Sequence, residues 1–266
     1  MKITLTNAGK RFNRDWIFRN INYEFLSNQA YAIIGPNGSG KSTLLQIIGG
    51  AVGLSEGEIE YSMVDDRWSM VDFSAEAHRN ADLPLIPNED IPGISDSSYS
   101  SGGIQPSSVM PHRSSANPAH RPSIIDHRIA SENIFQYLSL SGPYLELIEE
   151  MTLMEFLQFH HRFKPFLDEV SLEQIIQSVQ LIPAAHKQIR YFSSGMKQRT
   201  KLAQAIFSKT PILLLDEPCT NLDEDGIAVY IKLIERYSPG RIIIVSSNDR
   251  QEYSFCKQII DIKKYN

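Results

Sequence analysis

The sequence predicts an α/β fold built on a parallel or mixed sheet, and three observations predict it. The run "IIGPNGSGKSTLL" (33–45) follows the apolar stretch "YAII" (31–34) and opens a helical pattern at Thr43, which gives the order strand, Gly-rich loop, helix. Beyond Met196, strand-length apolar runs alternate with helix-length amphipathic ones, and strands separated by helices argue for parallel pairing. Before residue 62 the strands are short and close together, as in an antiparallel unit.

The elements follow in order. Strands are expected at 3–7, 21–26, 31–35 and 58–62, the last entered through the turn "SEGEIEY". From about Ser74 to Arg128 the pattern stops. This stretch holds half of the 14 prolines, the run "SDSSYSSGG" and no sustained period, so 74–128 is expected to be a largely disordered insertion. Periodicity returns with "IFQYLSL" (134–140), a strand, and then helices across 144–159 and 171–180, which make 141–195 a helical subdomain. A helix after Met196, a strand at 212–216, a helix at 225–237 and strands at 242–246 and 258–262 complete the chain.

The spacing from Gly35 to Ser42 is Gly, four residues, Gly-Lys-Ser. Gly35, Gly38 and Gly40 let backbone N–H groups turn inward around an oxyanion, with Asn37 and Ser39 in the loop and Thr43 in the first helical turn. Lys41 reaches a β/γ-phosphate and the Ser42 hydroxyl suits Mg²⁺. The core is therefore expected to be that of a P-loop NTPase. Downstream, "PILLLDEP" (211–218) is a buried strand ending in adjacent carboxylates: Asp216 suits the Mg²⁺ shell, and Glu217 can polarise a water for attack on a γ-phosphate. Between them lies "YFSSGMKQRTKLAQAIF", where Ser193, Ser194 and Gly195 precede an amphipathic helix.

Composition narrows the class. The 266 residues are 42% apolar and carry a net charge of −5, which gives no global attraction to nucleic acid. No window approaches the roughly 18 apolar residues of a membrane helix. The opening "MKITLTNAGKRF" alternates like an edge strand and lacks the apolar core of a signal peptide. Cys219 and Cys256 are too few and too far apart for a metal site, and free thiols in a reducing cytoplasm are expected.

Phosphate loop, "FSSGMKQR", "ILLLDEP" and then "TNLD", in that order, resemble an ATP-binding cassette ATPase, the nucleotide-binding subunit of an ABC transporter, over about 1–62 and 131–262. The resemblance implies ATP and Mg²⁺ as cofactors and two cassettes, a homodimer or a heterodimer, facing head to tail. Ser193 and Gly195 would then contact the γ-phosphate held by the other subunit, with the helix dipole assisting. It places Asp223 at the dimer seam and Phe12 against adenine, with Trp16 as the alternative. It also implies a separate membrane permease as partner, docked on "SLSGPYLELIEEMTLMEFLQFHHRFKPF", and a cytoplasmic position on the inner face of the membrane.

The resemblance has three departures. Ser141 stands where the family has a glutamine, Ser194 replaces the first signature glycine, and Asn248 is the nearest match to the switch histidine, which makes it a candidate catalytic residue beside Glu217 and Lys41. A degenerate cassette that regulates a partner with little hydrolysis, and a soluble cassette outside transport, are the alternatives. The phrases "FSSGMKQR" and "PYLELIEEMTL" look exporter-type. His160 and His161 lack metal-ligand companions and are expected to be solvated or capping.

Overall fold

A computed structural model describes residues 1–63 and 127–265. Two sheets form. The first is four-stranded and antiparallel, in the order β2-β1-β4-β5, from β1 (Lys2–Phe12), β2 (Asp15–Leu26), β4 (Glu56–Met63) and β5 (His127–Ile129). The second is five-stranded and wholly parallel, in the order β6-β7-β8-β3-β9, from β3 (Gln29–Ile34), β6 (Leu138–Ser141), β7 (Ile212–Asp216), β8 (Ile242–Ser246) and β9 (Gln258–Asp261).

The parallel sheet separates two cores, because alternate side chains of a strand point to opposite faces. Ile212, Leu214, Ile242 and Ile244 face α1 (Lys41–Ile48) and the inner side of the antiparallel sheet, where Ile3, Leu5, Phe18, Ile21 and Phe25 are buried. Leu213, Leu215, Ile243 and Val245 face α4 (Ser194–Phe207) and α5 (Glu224–Tyr237). Both faces of β7 and β8 are thus covered, which is why these strands are continuous apolar runs.

The antiparallel strands are longer than expected, since 3–7 and 21–26 extend to Lys2–Phe12 and Asp15–Leu26. Register shifts between Leu5 and Arg11 break the two-residue period, and Asn7 and Asn20 take positive φ. The segment 134–140 is not one strand: Ser131–Gln136 is a 3₁₀ turn and the strand begins at Leu138. The helix expected at 144–159 runs instead from Leu153 to Phe163 as α2. Its start is fixed by a capping box, in which Thr152 accepts from the Glu155 N–H and Glu155 returns to the Thr152 N–H. Its end is fixed by Pro165, which keeps Lys164 extended at φ −142, ψ 98. Ser171 and Gln174 cap α3 (Leu172–Ser178) in the same way.

Most of the 74–128 stretch lies outside the described residues, but its last two belong to β5, paired with Ser62 and Met63 of β4. Among the described residues no helix is long and apolar enough to cross a membrane.

Candidate nucleotide site

The site gathers at the carboxyl ends of β3, β7, β8 and β6, where open parallel sheets bind ligands. β3 ends at Ile34 and the loop 35–40 turns the chain into α1. Gly40 takes φ +95 at the N-cap, and a Cβ there would lie 2.3 Å from Ile17 Cγ2, so only glycine fits. Gly38 also has positive φ, at +79, with open space around it. Gly35, in turn, accepts from Lys41 through its carbonyl.

Lys41 is buried, and its ammonium donates to Gly35 O at 2.8 Å and Pro36 O at 3.2 Å. The cation is therefore held inside the loop's curve, where an anion would meet it. Ser42 Oγ donates to Asp216 Oδ1 at 3.1 Å, joining the start of α1 to the end of β7. A hydroxyl and a carboxylate this close form a hard oxygen pair that suits Mg²⁺. Thr43 follows in the first turn of α1, half-buried.

Two buried hydroxyls nearby, Ser39 Oγ and Ser141 Oγ, make no hydrogen bond among the described residues. Ser141 ends β6 opposite Leu215, next to the strand end that carries Asp216. Unpartnered polar atoms here fit a site meant to receive a charged ligand. Asn248 Nδ2 donates to Asn37 Oδ1 at 2.7 Å, so the loop after β8 touches the phosphate loop directly. Glu217, just beyond β7, has φ +45, and its backbone N–H donates to Ser246 O at 2.9 Å. Lys41, Ser42, Asp216, Asn37 and Asn248 are thus bonded within or across this loop, with Glu217 next in the chain after Asp216.

Ser193 and Gly195 do not join them. Ser193 is exposed and caps α4, accepting from the Met196 N–H at 3.2 Å. A Cβ on Gly195 would meet Asn221 O at 3.0 Å, so this end of α4 abuts the loop after Glu217. Asp223 caps α5 by accepting from the Gly226 N–H, and it also accepts from Arg199. These two contacts, the Gly226 bond first, hold its carboxyl below the usual range.

Phe12 lies at the end of β1, 50% exposed, with the Lys10 ammonium 5.0 Å from its ring. Trp16 carries the guanidinium of Arg19 at 4.1 Å and that of Arg11 at 5.6 Å, so its ring is already in use. His160, expected to be solvated or capping, is neither. It bonds Ser208 Oγ, stacks on Phe166, and burial pulls its pKa down to about 4. His161 does cap: its Nδ1 accepts from the Phe166 N–H at 3.1 Å. The Cys219 and Cys256 thiols are pushed far up by burial and are not reactive thiolates.

Two side chains that the sequence did not single out reach the peptide after Glu217: Gln198 of α4 and Glu252 from the loop beyond β8. Gln198 lies within the quoted "FSSGMKQR" without being singled out there, Glu252 lies outside every quoted motif, and the signal of both is burial of a polar group.

Comparison with known proteins agrees with this geometry. A family model described as ABC transporter matches residues 18–220, three quarters of the chain. The lantibiotic transport ATP-binding protein SrtF of Streptococcus pyogenes is 24% identical over 247 residues, covering 92% of this chain and 80% of its own. The tungstate uptake system ATP-binding protein TupC of Peptoclostridium acidaminophilum is 27% identical over 263 residues, covering 98% and 94%. Among solved structures, a putative ABC transporter ATP-binding protein from Pyrococcus furiosus superposes with TM-score 0.65 at 16% identity over the whole of both chains. A dimeric bacterial ABC transporter cassette superposes with TM-score 0.61 at 19% identity, covering 97% of this chain and 92% of its own.

Proposed function

The chain belongs to the ABC transporter family of ATP-binding cassettes, and we propose that it hydrolyses ATP between two such cassettes to drive a separate membrane permease. The observation that carries this is the Ser42–Asp216 contact beside buried Lys41, with Glu217 next in the chain and Asn248 on the phosphate loop.

Each residue has a task. Backbone N–H groups of 38–43 and the Lys41 ammonium hold the β- and γ-phosphates. Ser42 and Asp216 would hold Mg²⁺, which neutralises charge on the phosphate oxygens. Glu217 accepts a proton from the water that attacks the γ-phosphate. Asn248 can donate its amide to a phosphate oxygen but stays neutral at every accessible pH. Phe12 stacks on adenine, because its ring is the exposed one of the pair. Ser193 and Gly195, at the start of α4, meet the γ-phosphate bound by the second cassette.

The permease would dock on the outer face of α2. Phe156 and Phe166 are core residues, whereas Tyr144, Phe159 and Phe163 are exposed, and the Phe159 and Phe163 rings pack 4.9 Å apart. Such a ridge of neighbouring aromatics suits a short helix from a partner. The relatives include a lantibiotic transport protein and a tungstate uptake protein, so the exporter-type reading rests on the "FSSGMKQR" and "PYLELIEEMTL" phrases. The cassette would sit on the inner face of the membrane through that permease. Residues 141–195 would act as the helical subdomain, and 74–128 as an insertion dispensable for nucleotide binding.

Glu217→Gln tests the proposal. ATP binding should persist, turnover should fall by about 10²–10⁴-fold, and an ATP-bound dimer should accumulate on size exclusion. A Glu217→Gln protein that turns over normally would remove Glu217 as the base.

A further inference from the structure

Glu217 holds a backbone conformation that a residue with a Cβ rarely adopts, at φ +45. Such a residue persists only where its surroundings over-determine it. Its own N–H is tied to Ser246 O at 2.9 Å, and its carbonyl accepts from Thr220 N at 3.2 Å. The peptide that follows is held more tightly. Pro218 O accepts from Gln198 Nε2 at 2.6 Å, and the Cys219 N–H donates to Glu252 Oε1 at 2.8 Å. Both side chains are buried, Gln198 at 4% and Glu252 at 5% exposure. A peptide whose carbonyl and N–H are both bonded to buried side chains cannot rotate without leaving a buried polar group unsatisfied.

The two holders come from different parts of the site. Gln198 lies in α4, in the second turn after Ser193. Glu252 is anchored beside the Asn248 loop: its N–H donates to Asp249 O at 3.1 Å, its carbonyl accepts from Tyr230 Oη at 2.9 Å, and its carboxylate faces the Ser247 hydroxyl. Among the described residues no salt bridge reaches this carboxylate, and the charged groups that act on it are Asp249 and Glu217. Burying a carboxylate near others is costly, and packing alone would be served better by an apolar side chain. A local violation of that kind is expected where function requires it.

We propose that Gln198 and Glu252 are positioning residues for ATP turnover: by gripping both sides of the Pro218–Cys219 peptide they hold Glu217 in its working orientation and tie it to α4 on one side and to the Asn248 loop on the other. This rests on the reading of Glu217 as the base. A change at the γ-phosphate felt by the Asn248 loop is thereby passed through one peptide to the helix whose start faces the second cassette.

The test uses the full chain with Gln198→Met, Glu252→Ala, Glu252→Gln and the double variant Gln198→Met/Glu252→Ala. Amide exchange of peptides covering 216–223, without nucleotide, should quicken in Gln198→Met and Glu252→Ala, while exchange in β3 and α1 stays as in wild type. Turnover at saturating ATP should fall by about 10²-fold in both, with KM within about twofold. Glu252→Gln, which keeps an acceptor, should restore most of it. The double variant should lose little more than the worse single, since both release the same peptide. Turnover in both singles within about twofold of wild type, or losses that add fully, would overturn the proposal. A loss matched by a general fall in Tm and exchange quickened throughout would also overturn it, as mere loosening. If Glu252→Ala does not fold, Gln198→Met and Glu252→Gln carry the test. Wild-type protein without ATP turnover would refute the hydrolase reading, while the exchange measurement would still decide whether the grip exists.

Discussion

The phosphate loop and the start of α4 are both helix N-termini with small residues, yet they are built differently. At the loop, Lys41 is bonded to two carbonyls, Ser42 to Asp216 and Asn37 to Asn248, so three segments of one chain close around a single place. At α4, Ser193 caps its own helix, Ser193 and Ser194 are exposed, and the loop before Asn221 lies alongside. One end is tied together by three segments of its own chain, whereas the other exposes two serines. On the proposed reading a single chain would carry two half-sites, the second half of each supplied by another cassette.

The strongest way to break this comparison is Lys41→Ala. It removes a buried cation from the organised end, and ATP affinity should drop by about 10–100-fold, the worth of one charged hydrogen bond. Equilibrium titration with a fluorescent ATP analogue measures it. Retained affinity would mean that the loop backbone alone holds the phosphates.

Asn248 sharpens the comparison, because it is the contact that closes the loop. Asn248→Ala removes one neutral hydrogen bond to Asn37 and should slow steady-state hydrolysis by about 2–10-fold. Asn248→His restores a group that can carry charge beside the γ-phosphate and should raise turnover above wild type. Equal rates for alanine and asparagine would show that this side chain does not sense the phosphate. An effect of similar size, but on binding alone, is expected at Phe12, where loss of ring stacking should weaken ATP binding by about 2–10-fold and leave turnover at saturation unchanged. Trp16→Ala should leave affinity unchanged, since Arg11 and Arg19 occupy its ring.

Legibility in the sequence followed burial. The strands at 212–216 and 242–246 were legible to the residue because both faces are covered and the run is apolar throughout. The phosphate loop was legible because its glycines are demanded by conformation, as at Gly40. The antiparallel strands were only half legible, since bulges near Asn7 and Asn20 interrupt alternation with residues that also signal turns. β5 was hidden at the end of a Ser/Pro-rich stretch, where three residues carry no period. The start of α2 was misjudged because the apolar spacing of 144–152 competes with the capping box at Thr152, which the structure uses. The Asn37–Asn248 contact and the grip on Pro218–Cys219 join residues far apart in the chain, so only the folded sheet brings them together.

The most direct measurement of the two-half-site account mixes two inactive proteins. Lys41→Ala disables the organised end and leaves α4 intact. Ser194→Glu puts a carboxylate at the start of α4, which suits the helix dipole but repels the phosphate of a second cassette. At an ATP concentration that half-saturates wild type, each should be nearly inactive alone, with wild-type Tm. Mixed in equal amounts, they should recover roughly a quarter of wild-type ATP turnover, because half of the random dimers pair one intact loop with one intact α4 and so hold one whole site of two. Full activity of Ser194→Glu alone, or no recovery on mixing, would contradict the account.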